Sequence, residues 1–453
     1  MVEKKKSLLV VSYYYPPIKA IGCLRTYFFV KNLSSFGWTP YIYTTSNRDF
    51  LGSDNYYGKL ATANVIPVPT FDLVRVKHLV KNWLGRGRRI SPATRAPGGA
   101  GPEYAAPASL FLKFYHKLLR SLPFSLIHEG GFLYSFWIFI TGSGYIKREG
   151  IECIYSTYSP FANHLAAWLL KIRHPQVRWI ADFRDLLPGE TEDDIFLPRL
   201  QTWFNRLVLG RADFVVTVSQ GLKDSFQKYN EKVVVIKNGI PIENTDDLFS
   251  DLPTTELPGD GKFRIAYTGI LYDGKRDPSL LFEALASLAG EGAIGGDFAI
   301  AYAGKDGDHW NRCAEKFGLM GNVENFGEIG RDEAMALQKK ASLNLMLTWA
   351  NSKEKGWLTA KFFEYLAAEK PILCIIDGER DEELEKLYAD LNAGIIAYND
   401  RNELRELSEF ILERYRAWEN GAAEWRYDKQ YLKCLTYEHL TKRLEQVMTE
   451  PLP

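Results

Sequence analysis

The chain has 453 residues, and 46% of them are hydrophobic. This length is too great for one ordinary hydrophobic core and suits two domains. Lysine plus arginine and aspartate plus glutamate both number 56. This balance argues against nucleic acid as the main partner, because duplex binding usually needs a concentrated basic surface. The five cysteines form no CxxC pair, which favours buried thiols over a zinc or redox site. No apolar run has the length of a membrane-spanning helix, and we expect a cytoplasmic protein.

Strand-like and helix-like segments alternate along the first half of the chain. The series starts with an apolar strand at Ser7–Ser12 and a helix at Leu24–Phe36, and it continues to a strand at Val233–Ile236. A second alternating series starts with a strand at Phe263–Thr268. Such alternation is typical of parallel sheets with helices on both faces, so the sequence predicts an α/β protein with two Rossmann-like domains. Between the two series, residues 243–262 have the composition of a linker.

The segment GWLTAKFFEYLAAEKPILCII predicts a helix that starts between two buried strands. Apolar runs at 342–348 and 371–376 have strand length, and Thr359–Glu369 has the apolar spacing of a helix with Thr359 as a plausible N-cap. Free N–H groups and the helix dipole at such a start favour an anion. Glu364 lies more than one turn into the helix, where its carboxylate could accept hydrogen bonds from the two hydroxyls of a ribose. We therefore expect a phosphate-binding site at this helix start.

Motifs in one order along the chain carry a family resemblance. They are LLVVSYYYPP followed by Gly22 and Arg25, then WIADFRD, VVTVSQGL, VVVIKNGI, RIAYTGILYDGKRDP and KFFEYLAAEKPIL. In order and spacing they resemble the retaining glycosyltransferases of the GT-B fold, especially family 4. The resemblance implies transfer of a sugar, with retention, from a UDP- or GDP-linked nucleotide-sugar to a glycan or lipid-linked acceptor in cell-surface polysaccharide or glycolipid synthesis. It implies no metal and no further cofactor.

The resemblance also implies how the chain is divided. An acceptor-side domain would occupy residues 1–242, with a basic insertion at about 73–126, and residues 243–262 would be the linker. The donor-side domain would occupy residues 263–430, facing the first domain across a cleft. A helix at 431–453 would cross back to the first domain.

The donor diphosphate is expected at the end of the first strand of the second domain. The family holds it there with a Gly-Arg…Lys pattern, which stabilises charge on the leaving nucleotide without a metal. Gly269 ends this strand, and Lys275 lies at the matching spacing. Ile270 stands at the family's arginine position, so either Arg276 supplies the second cation or this chain holds the diphosphate differently. The alternative is that Lys275 and Arg276 are solvated turn residues.

The family's pair of glutamates, eight positions apart, is only half present. Glu364 matches the second, which binds the ribose, but Gly356 replaces the first, which approaches the sugar. Leu358 and Thr359 are candidates for the missing contacts. Alternatively, Glu364 is a surface residue and Thr359 only a helix cap. The resemblance also implies that the backbone at Phe326 and Glu328, which follow another strand, would face the base of the donor nucleotide.

Polar residues of the first domain also lie after strand ends, where open α/β sheets bind ligands. Gly22 is expected to let the backbone approach the donor phosphate, or to be a plain turn residue. Tyr158 and His164 are expected on the acceptor side, with His164 as a catalytic residue that has a polar approach, or as an ordinary helix histidine. Asp182 and Arg184 are acceptor-side candidates, or an ion-pair network that shapes the loop.

A basic stretch from Leu73 to Leu126 contains one acidic residue, Glu103, among many cations. Together with its aromatic residues, this one-sided charge predicts docking on an anionic membrane surface, where a lipid-linked acceptor could reach the cleft. The alternative is a solvated loop followed by a helix packed on the domain. The cations are Arg75, Lys77, Lys81, Arg86, Arg88, Arg89, Arg95, Lys113, Lys117 and Arg120.

Two other functions remain open on the sequence. A nucleotide-sugar 2-epimerase shares the fold and the phosphate site but needs no acceptor. A non-catalytic nucleotide-binding subunit would account for Ile270 and Gly356 at the two altered positions.

Overall fold

The computed structural model describes residues 6–18, 20, 22–46, 55–60, 62–70, 131–187, 197–243, 261–272, 274–351, 359–422 and 424–451. The predicted basic stretch at 73–126, most of the predicted linker at 243–262, Gly356 and Leu358 lie outside the described residues. The chain divides into two compact units. The first contains Met1–Thr217, Leu222–Val235 and Leu444–Pro453, and the second contains Val218–Gly221 and Ile236–Arg443.

The first unit is built on a sheet of seven described parallel strands, in the order β3-β2-β1-β4-β5-β6-β7. The strands are β1 (Lys6–Val11), β2 (Trp38–Thr45), β3 (Val65–Val68), β4 (Ile151–Thr157), β5 (Arg178–Phe183), β6 (Phe214–Thr217) and β7 (Val233–Val235). The helices along this part of the chain are α1 (Cys23–Ser35), α2 (Asn55–Lys59), α3 (Gly131–Glu149), α4 (Ala162–Arg173), α5 (Pro198–Leu209) and α6 (Gln220–Phe226).

The second unit has a sheet of six described parallel strands, in the order β10-β9-β8-β11-β12-β13. The strands are β8 (Phe263–Thr268), β9 (Phe298–Ala303), β10 (Val323–Asn325), β11 (Leu343–Ala350), β12 (Ile372–Gly378) and β13 (Gly394–Tyr398). The helices are α7 (Ser279–Gly290), α8 (Gly307–Lys316), α9 (Arg331–Lys340), α10 (Ala360–Ala367), α11 (Glu382–Leu391), α12 (Leu404–Glu419), α13 (Lys429–Cys434) and α14 (Tyr437–Thr449).

The central strands are buried on both faces. In β1, Leu8, Leu9 and Val10 have no exposed surface, and Leu9 is aligned with Tyr41 on one side and Ile154 on the other. Parallel sheets require such continuous apolar runs because helices cover both of their faces. The predicted α/β class with two Rossmann-like parallel-sheet domains is confirmed.

Each sheet has one point at which the strand order reverses. In the first unit it lies between β1 and β4, and in the second between β8 and β11. In open α/β sheets, ligands bind at the carboxyl ends of the strands beside such a point. The strand order therefore favours a donor site at the ends of β8 and β11.

The C-terminal segment differs from the single helix that its pattern predicts. Its helical residues form α13 and α14, separated at Leu435 and Thr436. The Thr436 hydroxyl donates to the Lys433 carbonyl (2.8 Å) and accepts from the His439 N–H (3.3 Å), so it caps the start of α14 and breaks the helix. The last residues belong to the first unit, where Arg178 donates to the Val447 carbonyl at 2.9 Å.

Candidate active site

A glycine and a lysine meet at the end of β8. The Gly269 N–H donates to the Ala303 carbonyl (2.8 Å), and its carbonyl accepts from the Tyr302 hydroxyl (3.1 Å). Gly269 has φ +151°, and a Cβ at this position would overlap the Nζ and Cε atoms of Lys361. Lys361 lies in the first turn of α10, so the start of this helix packs against the end of β8.

The loop after β8 carries two cations with different environments. Arg276 is buried, donates to the Ile270 carbonyl at 3.1 Å, and lies 4.6 Å from the ring centroid of Tyr272. Lys275 is exposed, with its Nζ 5.8 Å from the ring centroid of Trp349. Arg276 therefore stabilises the loop through its hydrogen bond to the backbone, whereas the Lys275 ammonium is accessible to a ligand.

Lys361 is a residue that the motif comparison did not single out. Its Nζ lies 3.2 Å from the Tyr267 hydroxyl, and no acidic side chain of the described residues lies within ion-pair distance. Burial, and then the charge of Arg276, lower the pKa of Lys361 to about 7, while Glu364 acts in the opposite direction. Its position in the first turn of a helix predicted to bind phosphate was the available sequence signal.

Glu364 is not a surface residue. Its Oε1 accepts a hydrogen bond from Arg331 Nη1 at 2.8 Å, and the two side chains are only 10% and 9% exposed. Its second oxygen, Oε2, has no hydrogen-bond partner among the described residues. Arg331, the first residue of α9, has no counterpart in the predicted site. One carboxylate oxygen is thus held by the protein, and the other is available to a hydroxyl.

The remaining donor-side residues lie along the same edge of the second sheet. Thr359 is the residue before α10, and its buried hydroxyl has no hydrogen-bond partner among the described residues, so it does not cap the helix by its side chain. Phe326 is 49% exposed and its N–H donates to the Tyr302 carbonyl at 2.9 Å. Glu328 follows it and is exposed.

In the first unit, Asp182 is committed to a buried ion pair. Arg25 Nε donates to both carboxylate oxygens (3.2 and 3.0 Å), and Arg25 Nη2 donates to Oδ1 at 2.9 Å. Asp182 is fully buried and Arg25 is 2% exposed. This geometry favours the ion-pair alternative for Asp182 over acceptor binding.

Arg184 joins two loops of the first unit. Its Nε donates to the Tyr158 carbonyl at 3.1 Å, and its Nη1 donates to the Gly22 carbonyl. A Cβ at Gly22 would overlap this guanidinium, although Gly22 itself has an ordinary φ of −61°. A side chain at position 22 would displace the Arg184 guanidinium, which gives this glycine a structural reason that does not involve a donor phosphate.

His164 lacks the polar approach that the sequence led us to expect. Its side chain is fully buried, its Nδ1 lies 2.8 Å from Ser156 Oγ, and its ring stacks on Phe183 with centroids 4.3 Å apart. Burial lowers the pKa of His164 to about 3, so the imidazole is neutral at ordinary pH. The expectation of an accessible catalytic histidine is corrected in favour of a buried one.

Two family models match the sequence and together cover more than half of it. A glycosyl transferase 4-like domain matches residues 74–239, and a glycosyl transferase-like domain matches residues 276–448. The chain belongs to the family 4-like GT-B glycosyltransferases. No curated protein sequence matches this glycosyltransferase.

Solved structures share the fold of this glycosyltransferase over nearly its whole length. Sucrose-phosphate synthase from Thermosynechococcus elongatus has a TM-score of 0.57 at 13% identity, covering 98% of both chains. OtsA has a TM-score of 0.57 at 12% identity, covering 99% of this chain and 100% of its own. The lipopolysaccharide outer core galactosyltransferase WaaB has a TM-score of 0.53 at 11% identity, covering 98% of this chain and 99% of its own. At these identities the similarity shows the fold alone.

Glu364 provides a first test of the donor side of this glycosyltransferase. We expect Glu364→Gln to lower nucleotide affinity about tenfold or more, because charge-assisted hydrogen bonds contribute roughly 1.5–3 kcal/mol. Calorimetric titration with UDP and GDP would measure the loss. Arg331→Gln is the matched control, since it breaks the same ion pair but keeps the carboxylate. Equal losses in both variants would assign Glu364 a structural role only.

Proposed function

We propose that this glycosyltransferase moves a sugar, with retention, from a UDP- or GDP-linked donor to a glycan or lipid-linked acceptor. The proposal places it in cell-surface polysaccharide or glycolipid synthesis, on the cytoplasmic side of the membrane. One observation carries it: Lys275, Lys361 and the start of α10 cluster where the strand order of the second sheet reverses. Cations and a helix start at that edge suit a nucleoside diphosphate. A galactosyltransferase of lipopolysaccharide among the structural neighbours is in keeping with this acceptor class.

The proposed chemistry breaks the bond between the anomeric carbon and the terminal phosphate oxygen of the donor. The acceptor oxygen bonds to the anomeric carbon on the face that the phosphate leaves, and the acceptor proton passes to a donor phosphate oxygen. Lys275 stabilises the charge that develops on the leaving nucleoside diphosphate. In this scheme neither Asp182, which is paired with Arg25, nor the neutral, buried His164 has to accept a proton. The proposal includes no metal.

A donor screen tests this function. Thermal shifts with UDP, GDP and ADP would identify the nucleotide, since a ligand at about 100 times its dissociation constant adds roughly 2.7 kcal/mol of stability. The matching nucleotide-sugars would then be incubated with membrane extract in the presence of EDTA, and the anomeric configuration of the product read by NMR. Inverted product, an epimer formed from donor alone, or binding without turnover would each contradict the proposal.

A membrane surface is the second part of the proposal, and α3 supports it. Large apolar side chains lie on one face of this helix in two rows with four-residue spacing, and they are 44–61% exposed: Phe132, Phe136 and Ile140 in one row, and Leu133 and Trp137 in the other. No helix among the described residues is apolar enough over a sufficient length to cross a bilayer. An apolar helix face of this kind suits the headgroup region of a membrane. The cations of the stretch from Leu73 to Leu126, just before α3 in the sequence, suit an anionic leaflet.

Vesicle co-sedimentation measures this docking. We expect the enzyme to pellet with anionic but not neutral vesicles and to be released by high salt. Phe136→Gln with Trp137→Gln should lower the partition coefficient at least about tenfold, because each apolar side chain contributes on the order of 1 kcal/mol or more when it leaves water. Replacing Lys113, Lys117 and Arg120 by Glu should abolish pelleting.

The control is Met320→Gln, which removes a side chain of similar exposure, 41%, from the second unit. It should pellet like the wild type. If the wild type stays in the supernatant with both lipids, the membrane proposal is wrong and the acceptor is soluble or brought by a partner.

A further inference from the structure

We propose that Lys361 is a direct ligand of the donor diphosphate in this enzyme. The inference rests on the proposed function, because it assumes that a nucleoside diphosphate binds to the second unit. It assigns the second cation of the site to α10 rather than to Arg276 in the loop after β8.

Position is the first argument. Lys361 Nζ lies beside Gly269, at the end of β8, where a Cβ would overlap the Lys361 side chain and the φ of +151° disfavours any residue other than glycine. The end of β8 borders the point at which the strand order of the second sheet reverses. Tyr267, the neutral partner of Lys361 at 3.2 Å, holds the ammonium at this edge without neutralising it.

Unbalanced charge is the second argument. Glu364 is three residues along the same helix from Lys361, but its ion pair is with Arg331 at 2.8 Å. No acid of the described residues pairs with Lys361, and the nearby Arg276 disfavours its charge. A partly buried ammonium beside another cation is unfavourable unless an anion joins it.

Unsatisfied donors at the same helix start are the third argument. Thr359, directly before α10, has a buried hydroxyl without a hydrogen-bond partner among the described residues. The first N–H groups of a helix also lack intrahelical acceptors and carry the positive end of the dipole. Lys361, the Thr359 hydroxyl and the start of α10 thus offer positive charge and hydrogen-bond donors together, which suits phosphate oxygens and does not suit a neutral ligand.

Proton linkage makes the proposal measurable. With a pKa of about 7, Lys361 is mostly neutral at pH 8 in the free enzyme. A bound diphosphate favours the charged form and raises this pKa, so binding must take up a proton. A lysine that only packs against Tyr267 would not couple nucleotide binding to proton uptake.

The experiment is calorimetric titration with UDP and GDP at pH 8 in two buffers of different ionisation enthalpy. The wild type should take up more than about half a proton per nucleotide bound. Lys361→Met should remove this uptake and weaken binding about tenfold or more, since a hydrogen bond to a charged group is lost. Lys361→Arg should bind without proton uptake, because arginine is always charged.

Lys340→Met, at an exposed lysine of α9, is the control and should behave like the wild type. Thermal unfolding of each free variant shows whether it is folded. Proton uptake and affinity in Lys361→Met equal to those of the wild type would overturn the Lys361 assignment alone. A wild type that binds neither UDP nor GDP would overturn the proposed function and this assignment together.

Discussion

Replacing Lys275 by alanine is expected to lower turnover about 10²–10³-fold, the cost of removing one preorganised electrostatic contact from a transition state. The side chain is exposed and makes no ion pair with the described residues, so its loss should leave the fold intact. The effect should fall on turnover, because charge on the leaving nucleoside diphosphate increases as the bond to the sugar breaks.

Steady-state kinetics with the donor chosen by the thermal-shift screen would measure this loss. Lys339→Ala, at an exposed lysine of α9, is the matched control and should retain wild-type turnover. A Lys275→Ala enzyme within threefold of the wild type would remove Lys275 from the diphosphate site.

Breaking the Arg25–Asp182 pair is expected to have the largest effect on stability. Removal of one partner leaves the other charge buried and unpaired, which typically costs about 3–5 kcal/mol. Both side chains are essentially inaccessible to water, so solvent cannot compensate. Asp182→Ala and Arg25→Ala should therefore each lower the free energy of unfolding by about this amount, as measured by urea unfolding.

Two comparisons test the reason for that loss. The double variant Arg25→Met with Asp182→Leu should be more stable than either single variant, since it leaves no unpaired charge. Arg405→Ala disrupts the exposed pair of Arg405 and Glu409 and should cost less than about 1 kcal/mol. A small loss in the Asp182→Ala enzyme would contradict a structural role for the pair and reopen acceptor binding.

Much of the architecture follows from local sequence patterns. The apolar run at Ser7–Ser12 and the alternation after it predict a parallel sheet, because strands covered by helices on both faces must be apolar throughout. The helix predicted from Thr359 is observed as α10, and the motif order indicates the family correctly. Local patterns fail where a side chain stops a helix, as the hydroxyl of Thr436 does between α13 and α14.

The sequence by itself determined the α/β class, the two parallel sheets and the family, because these depend on residue periodicity and on motifs within short segments. Only the tertiary structure decided which side chains meet. Arg25 pairs with Asp182 across 157 positions, Arg331 pairs with Glu364 across 33, and Lys361 of α10 reaches Gly269 at the end of β8. These contacts depend on the order of strands in each sheet, which brings distant loops to one edge. Burial, which makes His164 neutral and lowers the pKa of Lys361, likewise results from that packing.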